Sequence, residues 1–154
     1  MFFDQFKGFN PQTNRWERYA ECYGPIAYGG QTLNPIYQMC FNNDPLIALT
    51  SAQKHDWIRD HWKRYDYYIG LYRNDNGDWV WTDFDGSEIP LGNYQPCAPG
   101  YDASSDGDCV HANATSVDNT TISLWVPSTC YPTWSQLFCG TLGCDANRTD
   151  CAYL

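Results

Sequence analysis

Apolar residues along this chain fall into short runs, and the spacing within each run predicts a different element. The first thirty-five residues, including "NRWERYAECYGPIAYGGQTLNP", mix aromatics with turn formers and predict short strands and loops. "LNPIYQMCFN" follows and is compatible with a short helix carrying Cys40. "SAQKHDWIRDHW" is the clearest helix: Ser51 suits an N-cap, and Ala52, Trp57, Ile58 and Trp62 approximate one apolar stripe. On that reading Lys54, His55, Arg59 and Asp60 lie on the wet face.

From Tyr68 the period changes to that of a strand. Tyr68 to Tyr72 form a β-rich run, Asn74 to Gly77 supply turn chemistry, and Trp79-Val80-Trp81 alternate on the return, which predicts a hairpin. An irregular section runs from Phe84 to about Asp108. "CVHA", "TISLWV" and "SQLFCG" are three apolar pieces suited to strands of a small antiparallel sheet. Strand, two helices and several strands, with a long loop inserted, make an α+β domain. No repeat, linker or low-complexity tract divides residues 1–154, so a single domain is expected.

Composition narrows the partners. Nine basic residues against eighteen acidic ones give a net charge of −9. That excludes the clustered basic footprint of a nucleic-acid binder and admits basic partners, cations or neutral sugars. No run approaches the ~18 apolar residues of a membrane span. The N-terminus, "MFFDQFKGFNPQ", has Asp4 and no sustained apolar core, so it does not read as a signal peptide; secretion would imply one removed from this numbering. Eight cysteines suggest disulfides and an oxidising compartment, and sequons at Asn113, Asn119 and Asn147 agree with a secreted or extracellular glycoprotein. Their spacing contains no Cys-x2-Cys pair, which disfavours zinc.

Catalytic patterns are weak, and no enzyme is expected. His55 and His61 fall on different faces of one helix, and His111 follows the Cys109 strand. No Gly-x-Ser-x-Gly elbow occurs, and adjacent acids such as Asp83 and Asp85 read as surface charge.

The order and spacing of several local motifs resemble the C-type lectin-like domain. "YYIGL" resembles the family's Trp-Ile-Gly-Leu strand, with Tyr68 for the Trp. "GDWVWTDFDGS" is similar to its Trp-x-Trp-x-Asp-Gly segment, here with Phe84 inserted before Asp85-Gly86. "NY" at 93–94, "APG" at 98–100, "DCV" at 108–110, "LWVPSTC" at 124–130 and "LFCG" at 137–140 continue the series. Cys40 in the first helix and "LIALTSAQKHDWI" match what precedes it. The resemblance covers about Ala20 to Gly140, leaving an N-terminal strand segment and a cysteine-containing C-terminal extension.

The resemblance implies a fold of two helices, small antiparallel sheets and a long irregular loop, stapled by Cys40–Cys139 and Cys109–Cys130. Cys22, Cys97, Cys144 and Cys151 remain with three pairings open: Cys22–Cys97 with Cys144–Cys151, Cys22–Cys144 with Cys97–Cys151 as the main competitor, or the third. Cys97 stands where relatives keep a loop tryptophan and is expected as an extra staple. Sugar-binding relatives hold calcium through a Glu-Pro-Asn or Gln-Pro-Asp triplet and a later Trp-Asn-Asp, because a hard cation needs oxygen ligands. Here those positions read Tyr101-Asp102-Ala103 and Trp125-Val126-Pro127. No cofactor is therefore expected at the usual site, and an auxiliary calcium at Asp106 and Asp108 is disfavoured against a solvated acidic loop.

Trp79, Trp81 and Trp125 match core or sheet positions of the family, whereas Trp134 is ambiguous. Tyr94 and Tyr101 flank the loop and, with Asp102, Asp106 and Asp108, are the candidate ligand-binding residues. The expectation is an extracellular recognition module that binds a protein or glycan without calcium at the usual site; a homo-oligomer is compatible with it. Two alternatives are a structural component of a matrix, filament or coat, and a true lectin using aromatic stacking or an auxiliary ion.

Overall fold

A computed structural model describes the backbone of residues 2–10, 15–30, 33–40, 44–61, 66–117 and 120–145, and the side chains of 21, 23–30, 33–40, 44–60, 66–114 and 121–140. Trp62, Asn119, Asn147 and Cys151 lie outside the described residues, as do the side chains of Cys22, His61 and Cys144. Among the described residues there are eight strands: β1 (Phe2–Asn10), β2 (Arg15–Gly29), β3 (Tyr67–Arg73), β4 (Trp79–Thr82), β5 (Glu88–Pro90), β6 (Cys109–Val117), β7 (Thr120–Ser128) and β8 (Trp134–Asp145). One α-helix, α1 (Ala52–His61), packs with them. The strands form one connected sheet in the order β1-β2-β8-β3-β4-β5, with β6 branching from β3 and pairing β7.

All pairings are antiparallel except β3 with β8, which meet in parallel at Tyr68 and Leu137. The small separate sheets expected from sequence are thus joined through β3. The predicted hairpin is β3–β4. Asn74 Oδ1 accepts the N–H groups of Asn76 and Asp78, and Gly77 takes a positive φ of 84° that closes the turn. The irregular section contains the short strand β5, which pairs β4 through Trp81 and Ile89.

Two expectations change. The first helix is, among the described residues, a 3-10 turn over Ile36–Gln38, and Cys40 follows it. Pro35 starts that turn, Ile36 and Tyr37 are poor helix formers, and Cys40 is drawn to the sheet by its disulfide. In α1, Ser51 Oγ accepts the N–H of Lys54, as an N-cap should. Its faces differ from the predicted ones, however: Ala52 is exposed, while Lys54 and His55 are buried at 6% and 3% exposure. The reason is tertiary. Lys54 pairs with the carboxylate of Glu21 on β2 at 2.5 Å, and Tyr23 donates its hydroxyl to the same carboxylate. His55 meets Tyr94 and Trp125. Buried polar groups are tolerated where such partners exist.

β3 positions the core because it is buried on both faces. Tyr67, Ile69 and Leu71 enter one cluster with Ile47, Leu49, Ile58, Trp81, Trp125 and Phe138. Tyr68, pointing the other way, enters a second cluster with Ile36, Leu46 and the disulfide cysteines. Cys40–Cys139 and Cys109–Cys130 are both formed, with Cα–Cα distances of 5.6 and 5.0 Å. Loop-closure entropy assigns them roughly 4–5 and 3 kcal/mol.

Gly70, between the buried faces, donates its N–H to the Ile47 carbonyl at 2.9 Å. A Cβ there would stand 2.7 Å from the Leu46 carbonyl oxygen, and backbone cannot give way as a side chain tip can. Gly70→Ala should therefore cost about 1–3 kcal/mol, the range for forcing a methyl into a filled core. Urea denaturation would read the loss, and an unchanged midpoint would show that the Leu46–Ile47 segment moves freely.

Candidate functional site

The long loop between β5 and β6 is attached to the sheet at three places. At its start, Tyr94 is half-buried; its hydroxyl lies 2.9 Å from His55 Nδ1, and its ring meets Trp125 edge-on at 5.6 Å. Midway, the chain runs beside β7: Ala98 N–H donates to the Trp125 carbonyl and Trp125 N–H to the Pro96 carbonyl, a parallel bridge centred on Cys97. At its end, Arg73 takes over.

Arg73 is the last residue of β3. Its Nη2 donates to the carbonyls of Ala103 at 2.9 Å and Ser105 at 3.0 Å, and its Nε donates to Gly107 at 3.3 Å. Its backbone N–H reaches the Asp108 carbonyl, and the Asp108 carboxylate lies 3.6 Å from Nε. The guanidinium sits 4.6 Å over the Trp79 ring, whose Nε1–H donates to the same Ala103 carbonyl. A planar cation with five donors suits this task, since it stacks on an aromatic while its edge addresses several oxygens. A protein-borne cation thus gathers the loop's oxygens.

The five candidate residues separate. Tyr94 is half-buried, packing on the core beside Trp125 while its hydroxyl reaches His55. Tyr101 is 43% exposed. Asp102 Oδ1 accepts both the N–H and the hydroxyl of Ser104, which closes a turn and holds its carboxyl below the usual range. Asp106 and Asp108 are exposed at the foot of the loop. Asn113 is also exposed.

At the positions where relatives bind calcium, the side chains present do not fit the ion. Ala103, Val126 and Pro127 offer no side-chain oxygen, the Ala103 carbonyl is taken by Arg73 and Trp79, and Asp102 is engaged with Ser104. Among the described residues, no three His, Cys, Asp or Glu side chains converge on one point. The space beneath is a cavity of ≈20 Å3 lined by Leu71, Cys97, Val110 and Trp125. Among the described residues Cys97 has no disulfide partner; the three cysteines it was expected to choose from, Cys22, Cys144 and Cys151, have side chains outside the described residues. The other four cysteines with described side chains are already joined to one another, and Cys97 faces apolar neighbours. Burial, then the charge of Asp102, pushes its thiol pKa up.

Sequence reasoning missed Arg73, Lys54, His55 and a groove of ≈770 Å3. That groove lies between Pro35 and Tyr37, the Asn74–Gly77 turn, the Asp106–Asp108 loop end and Ser128–Tyr131. Arg73 had no local signal beyond closing a strand before a turn. The groove is assembled from four distant segments, so no single stretch shows it.

The family description "Lectin C-type domain" matches residues 31–139. The chain belongs to the C-type lectin domain family. Comparison with curated proteins gives no match. Domains of this family are generally non-enzymatic modules for ligand recognition and are commonly extracellular, in keeping with the two disulfides here. No helix among the described residues is long and apolar enough to cross a membrane.

Two predictions follow from the loop's attachments. Arg73→Ala should cost about 2–3 kcal/mol, the scale of charge-assisted hydrogen bonds, with hydrogen exchange rising first over residues 101–108. Arg73→Lys should recover only part, because an ammonium cannot stack on Trp79 and address three carbonyls together; full recovery would reduce the effect to charge alone. Burial holds the His55 pKa at about 4, below its ordinary 6.5, with smaller effects from Asp56 and Arg59. The unfolded chain then binds the extra proton, so this contribution is complete above pH 6.5 and is lost as pH falls towards 4. The loss is up to about 3 kcal/mol. His111, whose pKa burial also lowers, adds in the same direction. Denaturation at stepped pH should show the acid limb flattened in His55→Gln, and an unchanged limb would remove His55 as its source.

Proposed function

We propose that the chain is an extracellular recognition module that binds a protein or glycan without calcium at the family's usual site. The single observation behind this reading is the Arg73 guanidinium, which collects the Ala103, Ser105 and Gly107 carbonyls. The loop's order thereby comes from a covalently attached cation. A permanent cation leaves no reason for the loop to wait on a dissolved one. The triplet Tyr101-Asp102-Ala103 and the strand Trp125-Val126-Pro127 support the same reading through what their side chains lack.

A second reading, a lectin that binds sugar by aromatic stacking, is favoured by Trp134. This ring is 58% exposed at the edge of a pocket of ≈220 Å3 that also has Asp66, His111 and Gln136. An exposed indole beside a carboxylate and an amide can stack on a sugar's apolar face while hydrogen bonds fix its hydroxyls.

A native-state ligand raises stability by mass action. The thermal midpoint should therefore be the same with calcium and with EDTA, and a rise with calcium would sink the first reading. A glycan array run in both conditions separates the two. Calcium-independent hits lost in Trp134→Ala favour stacking, and an array without hits favours a protein ligand.

A further inference from the structure

The groove beside the long loop has two aromatic surfaces and a surplus of negative charge. Tyr37 forms one wall, its ring stacked on Tyr72 at 4.0 Å and 14°, and Tyr131 stands 54% exposed on the other side. Among the described residues, Asp75, Asp106 and Asp108 line the groove with one cation, Arg73. Arg73 is engaged with loop carbonyls and with Asp108. Among the described residues, Asp75 and Asp106 take part in no ion pair, and both are exposed. The Tyr37 hydroxyl pKa is raised by burial first and then by Tyr72, Tyr131, Asp75 and Asp108, which places those groups around one shared space.

We propose that this groove binds a cationic side chain, arginine above lysine, presented by a basic segment of a partner protein. The proposal rests on the recognition reading above and names the partner's chemistry. A guanidinium is weakly hydrated and planar; it can lie against a tyrosine face while its edge meets a carboxylate. A neutral ligand could offer the two carboxylates hydrogen bonds but would leave their charge uncompensated, and an anion would be repelled. The ≈770 Å3 volume exceeds what one side chain fills and falls in the usual range of ligand sites, leaving room for flanking residues. The chain's −9 charge steers basic partners towards it, with a rate that falls as salt rises.

The test is fluorescence anisotropy with a short labelled arginine-glycine peptide against the full chain. Binding should weaken about tenfold in Asp75→Asn/Asp106→Asn and again in Tyr131→Ala, each step near one decade of affinity. The control is Asp56→Asn/Asp60→Asn, which removes the same charge from the exposed face of α1 and should leave affinity within about twofold. Equal weakening in groove and control variants would mean diffuse attraction by net charge and would overturn the groove. So would unchanged binding in Tyr131→Ala together with Asp75→Asn/Asp106→Asn. A domain that ignores the peptide yet binds on the glycan array overturns this inference and leaves the recognition reading standing.

Discussion

Burial of β3 on both faces is the constraint from which the other arrangements follow. A strand covered on one side can tilt or slip, but "YYIGLYR" is gripped by β4, β6 and β8 and lies across two core clusters. Slippage by one residue would exchange Tyr68 with Ile69 and drive both into the wrong cluster. Gly70 lets the Leu46–Ile47 backbone approach that strand, and the two disulfides anchor the cluster beneath Tyr68. Because the strand cannot move, its last residue, Arg73, has a fixed position. That makes Arg73 able to organise a loop that contains almost no regular structure.

The loop is gathered by a cation that belongs to the chain itself, Arg73. A calcium ion would order the segment by collecting oxygens from separate stretches, at the cost of requiring the ion. Here the collected oxygens are backbone carbonyls and the collector is a side chain whose stacking on Trp79 sets its plane. Carbonyl groups of Ala103 and Gly107 need no particular side chain, so the loop can vary in sequence without losing its anchor. Gly107 is the exception, because its φ of 116° and the nearness of the Ser128 backbone admit no side chain.

Polar groups inside the domain tie the N-terminal strand and the helix to the loop side. Lys54, Glu21 and Tyr23 form a buried charged trio in which desolvation lowers the lysine pKa while the glutamate opposes that shift. Such a trio costs more to break than it gains over an apolar replacement, so its clearest effect is to specify how α1 lies on β2. His55, one residue on, fastens the same helix to Tyr94 and so to the loop's root. The helix is the link between the two ends of the domain.

Much of this was legible in residue order. The hairpin at Asn74–Gly77, the three late strands and the Ser51 cap rest on local rules of period, turn chemistry and capping, which act within a few residues. Motif resemblance supplied the two disulfides, Cys40–Cys139 and Cys109–Cys130. The solvent face predicted for α1 failed at Lys54 and His55 because the hydrophobicity of a residue says nothing of a partner thirty residues away. The carbonyls gathered by Arg73 carry no sequence signal at all, every residue having one. Local period and side-chain chemistry determine which segments become strands, turns or helix. Long-range packing decides which charges are buried, which carbonyls share a cation and where four distant segments leave a groove, because these depend on juxtaposition that no short stretch encodes.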